Sequence, residues 1–300
     1  MPELTIFTAP KPFTNPHIAI IQRNAIRSWL QMGQAVEVCL VGQEAGLAEV
    51  AREYGVVHLP DVARNERGTP LVSSIFDLAR RQSHSPLLCY VNADILMYPD
   101  FVDQVGKVAA QVENFLLVGQ RWDLDVTELL DFSPGWDERL RADVAHRGRL
   151  HPPAGSDYFV FPRPIFTDMP AFAIGRAGWD NWMLYQALQQ RWHLIDATAS
   201  LDIVHQNHDY SHLPGGKPHN QQEETYINAA LGGGMRNMFI LLDAPYQLVG
   251  GKIRHARLTL ARLLRWVERW LRPEREQGWR WALFLRVQSW RLAAQRKQEE

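Results

Sequence analysis

Leu87-Leu88-Cys89-Tyr90-Val91-Asn92-Ala93-Asp94-Ile95 is an apolar run that ends in two oxygen-bearing side chains spaced i, i+2. A short run that is apolar at every position predicts a strand buried on both faces, as in a parallel sheet. A carboxylate at the mouth of such a strand is costly unless a cation or hydrogen-bond donors compensate it. Hard divalent cations take oxygen ligands and share them with phosphates, so Asn92-Ala93-Asp94 is a candidate site for a cation and a diphosphate. The same tripeptide also suits a plain strand-terminal turn in which Asn and Asp bond backbone donors.

On either side of this stretch, strand and helix patterns alternate. Leu4 to Phe7, Val36 to Val41, Val56 to Leu59 and Phe115 to Val118 read as strands. Between them, residues 17–32, 47–54, 71–82 and 101–112 carry apolar residues at helical spacing, with Gly55 stopping the second helix. Alternation of this kind predicts a mostly parallel sheet with helices on both faces. Ligands in such sheets bind outside the carboxyl ends of the strands. That rule gathers Thr8-Ala9-Pro10, Asp61 and Asn92-Ala93-Asp94 at one edge.

Beyond residue 120 the texture changes, with more Gly, Pro, Trp and His. Tyr158 to Phe161 is a strand introduced by Gly155-Ser156-Asp157. Trp179-Asp180-Asn181 opens a helix running to about Arg191, and His193 to Ile195 and Leu201 to Val204 are strands. From His205 to about Gly234 the composition is that of a loop. It contains His205, His208, His212 and His219, with Gly215-Gly216 as a hinge. Structural zinc would require close thiolate pairs, and none are near, so the expectation here is a lid or acceptor loop.

Bulk composition sets outer limits. Three hundred residues with 46% hydrophobic content can bury a large core, which excludes a disordered chain. Cys39 and Cys89 sit inside strand runs, predicting buried reduced thiols and a reducing, cytoplasmic setting. The first residues lack a secretory pattern, and no stretch approaches the length of a membrane span. The net charge of −1 hides an asymmetry. Lys252 to Lys297 holds 13 Lys/Arg against three Glu, a balance of +10, whereas residues 1–251 balance to −9. The expected division is therefore 1–251 as the main domain and 252–300 as a basic helical tail. In the tail, Leu260, Leu263, Leu264, Val267, Trp270 and Leu271 share one helical sector, opposite Arg262, Arg265, Arg269 and Arg272. Pro273 ends this helix, and a second Trp/Arg-rich helix follows. Basic amphipathic helices of this type lie in membrane interfaces, which predicts an anionic membrane surface as partner. A helix packed on its own domain with a solvated arginine face is the competing reading. Nucleic acid is not expected, since no binding module accompanies the charge.

Taken in order, these features resemble the nucleotide-sugar glycosyltransferases of the GT-A fold, family 2-like, over residues 4–210. The resemblance implies a Rossmann-like α/β fold and an activity that moves a sugar to a cell-envelope or lipid-linked glycan. The inner membrane face would be its place of work. It makes Asn92-Ala93-Asp94 the counterpart of a DxD motif, with Asn in the first acidic position and Asp94 as principal ligand of Mn²⁺ or Mg²⁺. His205 would be a second metal ligand. Gly155, Ser156 and Asp157 would form the loop beside the donor sugar, though a simple Gly-Ser-Asp turn fits as well. Thr8, Ala9, Pro10, Asp61 and Asn65 would meet the base and ribose. Asp180 would be the general base of an inverting reaction, its plain alternative being a helix cap. Trp179, Asn181 and His208 would contact the acceptor, and Lys11, Arg64 and Arg67 could meet phosphate or simply be solvated. Two rivals share part of this pattern. One is a sugar nucleotidyltransferase, which lacks here a glycine-rich loop after the first strand. The other is a non-catalytic scaffold that binds nucleotide-sugar or glycan at a membrane.

Overall fold

The structure, a computed structural model, describes residues 2–208, 222–273 and 276–299. The strands in chain order are β1 (Leu4–Thr8), β2 (Val36–Val41), β3 (Val57–Leu59), β4 (Leu87–Val91), β5 (Ile95–Met97), β6 (Phe115–Val118) and β7 (Trp122–Leu124). They continue with β8 (Arg149–Leu150), β9 (Tyr158–Pro162), β10 (His193–Asp196), β11 (Ile203–Gln206), β12 (Tyr246–Val249) and β13 (Lys252–His255). The helices are α1 (Pro16–Leu30), α2 (Leu47–Tyr54), α3 (Val72–Gln82), α4 (Phe101–Ala109) and α5 (Trp136–Arg147). After these come α6 (Trp179–Gln189), α7 (Glu223–Leu231), α8 (Leu260–Leu271) and α9 (Gly278–Glu299). The part of the expected lid that holds His212, Gly215-Gly216 and His219 lies outside the described residues.

Nine strands form the main sheet in the order β13-β12-β10-β6-β9-β4-β1-β2-β3. The pairs β3/β2, β2/β1, β1/β4, β6/β10 and β10/β12 are parallel. β9 runs antiparallel between β4 and β6, and β13 antiparallel on β12. This is the expected α/β architecture, a mostly parallel sheet covered on both faces. Alternation along the strands sorts the two cores. Leu87, Cys89 and Val91 point to the face covered by α1, α2 and α4, and Leu88 and Tyr90 to the face covered by α3 and α6.

A second sheet, β5-β11-β7-β8, positions the site. It hangs from the end of β4, because Asn92, Ala93 and Asp94 are all that separates β4 from β5. β11 pairs antiparallel with β5, setting His205 opposite Ile95, and parallel with β7, setting His205 opposite Asp123. A chemistry-bearing turn and a late histidine thus meet through strand register alone. Trp136, Leu140 and Val144 of α5 cover the outer side of this small sheet with Leu96, Leu124 and Val204.

The tail departs from expectation in two ways. Its start at residue 252 falls inside a hairpin, since Gly250 and Gly251 join β12 to β13 and β13 belongs to the main sheet. And α8 is docked by its arginines. Arg262 donates to the carbonyls of Leu242 and Ala244 and lies 3.4 Å from Asp196, while Arg265 binds Asp243 at 2.9 Å and Glu268 at 3.2 Å. Arg269 stacks 3.8 Å over the Phe239 ring. A fully solvated arginine face is therefore corrected. The buried carboxylate of Asp243 requires these cations, and breaking a buried pair on one side costs on the order of 3–5 kcal/mol. A cut at residue 251 would remove a sheet strand and those cations together.

Candidate active site

A cleft of about 790 Å³ opens at the carboxyl ends of β1 and β4, between the small sheet and the start of α6. Asp94, His205 and His208 converge in it, and one ligand atom from each lies within 4.8 Å of the others. Asp94 is only 7% exposed. Its Oδ2 lies 3.0 Å from His208 Nε2 and 3.7 Å from the Lys11 ammonium, which is itself 3.1 Å from His208 Nε2. Its Oδ1 is buried with no hydrogen-bond partner among the described residues. Burial alone would raise the Asp94 pKa. The His208 hydrogen bond and the charges of His205 and Lys11 outweigh it and hold the carboxyl well below the usual carboxylate range. Burial depresses the Lys11 ammonium, with Asp94 opposing that shift.

The donor set fits a divalent cation. An orphaned carboxylate oxygen at van der Waals depth is what a bound metal would satisfy. One carboxylate with two imidazoles favours Mn²⁺ over the all-oxygen preference of Mg²⁺. Asp123 supplies the outer support that metal-binding histidines commonly have, its Oδ1 standing 3.2 Å from His205 Nδ1.

Asn92 lines the cleft next to Asp94 and is held there by its own hydrogen bonds. Its Nδ2 donates to Asp157 Oδ1 at 2.8 Å, its Oδ1 accepts from Tyr90, and its backbone NH donates to the Asp157 carbonyl. The amide fastens the loop before β9 to the end of β4, a task that needs both a donor and an acceptor. An acid there would face Asp157 as a like charge. Asp157 is further held by Arg121 at 2.6 Å, and Arg121 also binds Asp123 at 2.9 Å. His151 Nδ1 closes the chain, 2.8 Å from Asp123 Oδ2. Gly155 and Ser156 line the cleft, and a Cβ on Gly155 would meet only His151, at 3.9 Å.

Asp180 also lines the cleft, at the first turn of α6. Gly178, at φ +110°, turns the chain there so that its NH donates to Asp180 Oδ1 at 3.0 Å. Burial pushes the Asp180 pKa up to about 6, against the backbone NH groups of Asn181 and Gly178, which favour the anion. Asp180 is therefore no N-cap, that position being Gly178, but a first-turn carboxylate that accepts from the Gly178 NH and whose pKa burial raises.

Other expected site residues divide. Ala9, Pro10 and Asn181 line the cleft, the last with its Nδ2 donating to the Phe239 carbonyl at 2.7 Å. Thr8 is wholly buried in β1, behind the lining. Asp61 and Asn65 are not brought to the cleft; Asn65 caps its own turn through Arg67 and Thr69 and binds Glu224 at 2.7 Å. Arg67 pairs with Glu223 and Arg64 with Glu44. Trp179 lines the cleft while mostly buried, its ring edge-on to Tyr90 at 5.0 Å and against Phe159 at 5.2 Å. His208 stands with Asp94 in the cation cluster, where an acceptor contact was expected. The sequence reading overlooked Arg121, Asp123, His151 and Arg176, all in loops or on the short β7. Arg176 lines the cleft and is held by Glu224 at 2.9 Å.

No protein-family model matches the chain, and no curated protein matches it. Solved structures similar to it include glucosyl-3-phosphoglycerate synthase from Mycobacterium tuberculosis in complex with Mn²⁺, UDP-glucose and phosphoglyceric acid. That likeness has 14% identity and a TM-score of 0.47, covering 86% of this chain and 87% of that one. S. aureus TarS 1–349 is similar at 10% identity and a TM-score of 0.44, over 77% of this chain and 64% of that one. TarS 1–349 in complex with UDP-GlcNAc aligns over 41% of this chain, spanning 35% of that chain's length, at 10% identity and a TM-score of 0.33. At such identities and TM-scores, substrate and chemistry have to be read from the cleft's own residues.

Proposed function

We propose that this chain is a metal-assisted glycosyltransferase that moves a sugar from a nucleotide-sugar donor to an acceptor hydroxyl. One observation carries the reading: a cation cluster of Asp94, His205 and His208 and a carboxylate of raised pKa, Asp180, line one cleft at the strand ends. When bound, a divalent cation supplies positive charge to the departing nucleoside diphosphate. Asp94, His205 and His208 would hold it, with Asp123 orienting His205. Lys11, beside Asp94, adds a second positive charge where the diphosphate leaves. Asp180 takes the acceptor proton as the oxygen attacks, leaving an inverted centre. Arg121 and Asn92 fix Asp157 and with it the Gly155-Ser156 wall, so donor orientation depends on them. Titration of UDP into the protein by calorimetry, with and without Mn²⁺, tests this. Binding should tighten at least about tenfold with Mn²⁺, as for an interaction that adds one or more charge-assisted contacts. Equal affinity with and without the cation would overturn the cluster's assignment.

The second part of the proposal seats the protein on an anionic membrane surface, at its cytoplasmic face, where a lipid-linked or envelope glycan would be the acceptor. With its arginines turned inward, α8 leaves Trp266 at 65% and Trp270 at 69% exposed, beside Leu260 and Leu263. On α9, Trp279 at 72% and Trp290 at 52% exposed continue that apolar surface. Lys252, Arg254, Arg257, Arg286 and Arg296 are exposed in the same segment, against Glu276. Tryptophan with a cationic rim suits the headgroup region, each Lys or Arg adding about 1 kcal/mol near an anionic leaflet. No helix among the described residues is long and apolar enough to cross a membrane. Trp266→Ser with Trp270→Ser should abolish co-sedimentation with anionic liposomes while UDP binding is unchanged. Retained sedimentation would remove the membrane from the proposal.

A further inference from the structure

The cation cluster already holds a positive charge of the chain's own. The Lys11 ammonium stands 3.7 Å from Asp94 Oδ2 and 3.1 Å from His208 Nε2, and His208 Nε2 is 3.0 Å from the same Oδ2. These atoms form a closed triangle on two of the three residues that would hold a divalent ion. An imidazole nitrogen carries either one proton or one in-plane lone pair. With the proton, His208 Nε2 donates to Asp94 and has nothing to give a metal. Without it, Nε2 accepts from the ammonium, and its lone pair is taken. In either tautomer a metal reaches Nε2 only by breaking a contact of the triangle. The ammonium would then face a divalent like charge beside two largely buried side chains, where water screens little.

The root of Lys11 is fixed while its end can swing. Its backbone NH donates to Gln22 Oε1 at 2.6 Å, and its carbonyl accepts from Gln22 Nε2 at 2.9 Å. Gln22 is buried on α1, and Pro10 and Pro12 restrict the backbone on either side of Lys11. From that root a flexible four-carbon stem carries the ammonium into a cleft with room for other positions. A diphosphate in the cleft offers the ammonium a stronger anion than the one carboxylate oxygen it now shares with His208.

We propose that Lys11 is the resident cation of this cluster, and that a nucleoside diphosphate opens the site by drawing the ammonium off Asp94 and His208 onto its phosphates. Metal and nucleotide then bind as a cooperative pair, each strengthening the other by the same factor. The cluster's part as a metal site rests on the transfer reading above; the contacts of Lys11 do not.

The experiment measures Mn²⁺ binding to the full chain from loss of the free-ion electron paramagnetic resonance signal, first without nucleotide and then with UDP. Lys11→Met should bind Mn²⁺ alone about tenfold more tightly than wild type, within the range typical of coupling between two sites. Lys11→Arg keeps the charge and should stay as weak as wild type. Saturating UDP should tighten Mn²⁺ binding by a larger factor in wild type than in Lys11→Met, where only the direct attraction between metal and phosphate remains. Should Lys11→Met fail to fold, Lys11→Gln, which keeps a donor for Asp94 without the charge, takes its place. Mn²⁺ affinity without nucleotide that is no higher in the uncharged variant than in wild type would overturn the inference and leave the cluster a metal site. Absence of Mn²⁺ binding at millimolar concentration in every form, with UDP present, would remove the metal site and the inference with it.

Discussion

Asp94→Ala is expected to lower kcat by about 10²–10³, the range seen when one principal electrostatic stabiliser of a transition state is lost. Asp94 is the single carboxylate of the cation cluster, so its removal leaves two imidazoles to hold a divalent ion. It also frees the Lys11 ammonium and His208 from their shared partner. The melting temperature should fall as well, because the carboxyl held as an anion by His208 and Lys11 stabilises the fold and its loss leaves the buried Lys11 ammonium without its partner. Asp94→Asn separates charge from shape: it keeps an oxygen in place but not the anion, and should be nearly as damaged. The decisive readout pairs turnover with the Mn²⁺ dependence of UDP affinity. Turnover unchanged in a folded Asp94→Ala protein would sink the metal assignment, and with it the role given to His205 and His208.

How much of this was legible in the sequence follows from the range of the forces involved. The apolar run into Asn92-Ala93-Asp94 declared both a central strand and a site, because burial on two faces leaves a pattern of one residue type. Asp180 was legible for a similar reason, as an acid at a helix start with Gly178 before it. Asp123, His151 and Arg121 were not. They act through β7, three residues long, whose pairing with β11 is fixed by long-range register that no local pattern encodes. The role of Asn92 was hidden likewise, since its partner Asp157 is 65 residues away. α7 fell within a stretch read as loop because its exposed Tyr226, Ile227 and Leu231 and its buried Glu224 and Asn228 invert the usual amphipathic signal. The same inversion governs α8: the wheel separated arginine from leucine, but which face meets the body was decided by Asp196 and Asp243. The hairpin at Gly250-Gly251 did carry a signal, two glycines between strand-forming runs, and the charge asymmetry drew the domain boundary across it.

Asp180→Asn tests the other half of the mechanism, and its expected signature is kinetic, thermodynamic and pH-dependent together. Transfer should fall by about 10²–10⁴ with donor affinity unchanged, since general-base loss affects proton removal alone. In the wild type, a base with a pKa of about 6 must be ionised to work, so kcat should decline as pH drops through 6. The stability effect has the opposite sense. A carboxyl whose folded pKa is raised above its unfolded value of about 3.9 binds its proton more tightly in the folded state. Its contribution is therefore most favourable at low pH and is lost as pH rises from about 4 through 6, leaving a penalty for the buried anion above that. Asn keeps an oxygen for the Gly178 NH and carries no charge, so Asp180→Asn should melt higher than wild type at pH 8 and show no such gain near pH 4. A residue that served only to cap α6 would behave otherwise. Its substitution would lower the melting temperature at pH 8 and leave the turnover of the surviving folded protein intact, and that pair of results would remove Asp180 from the chemistry.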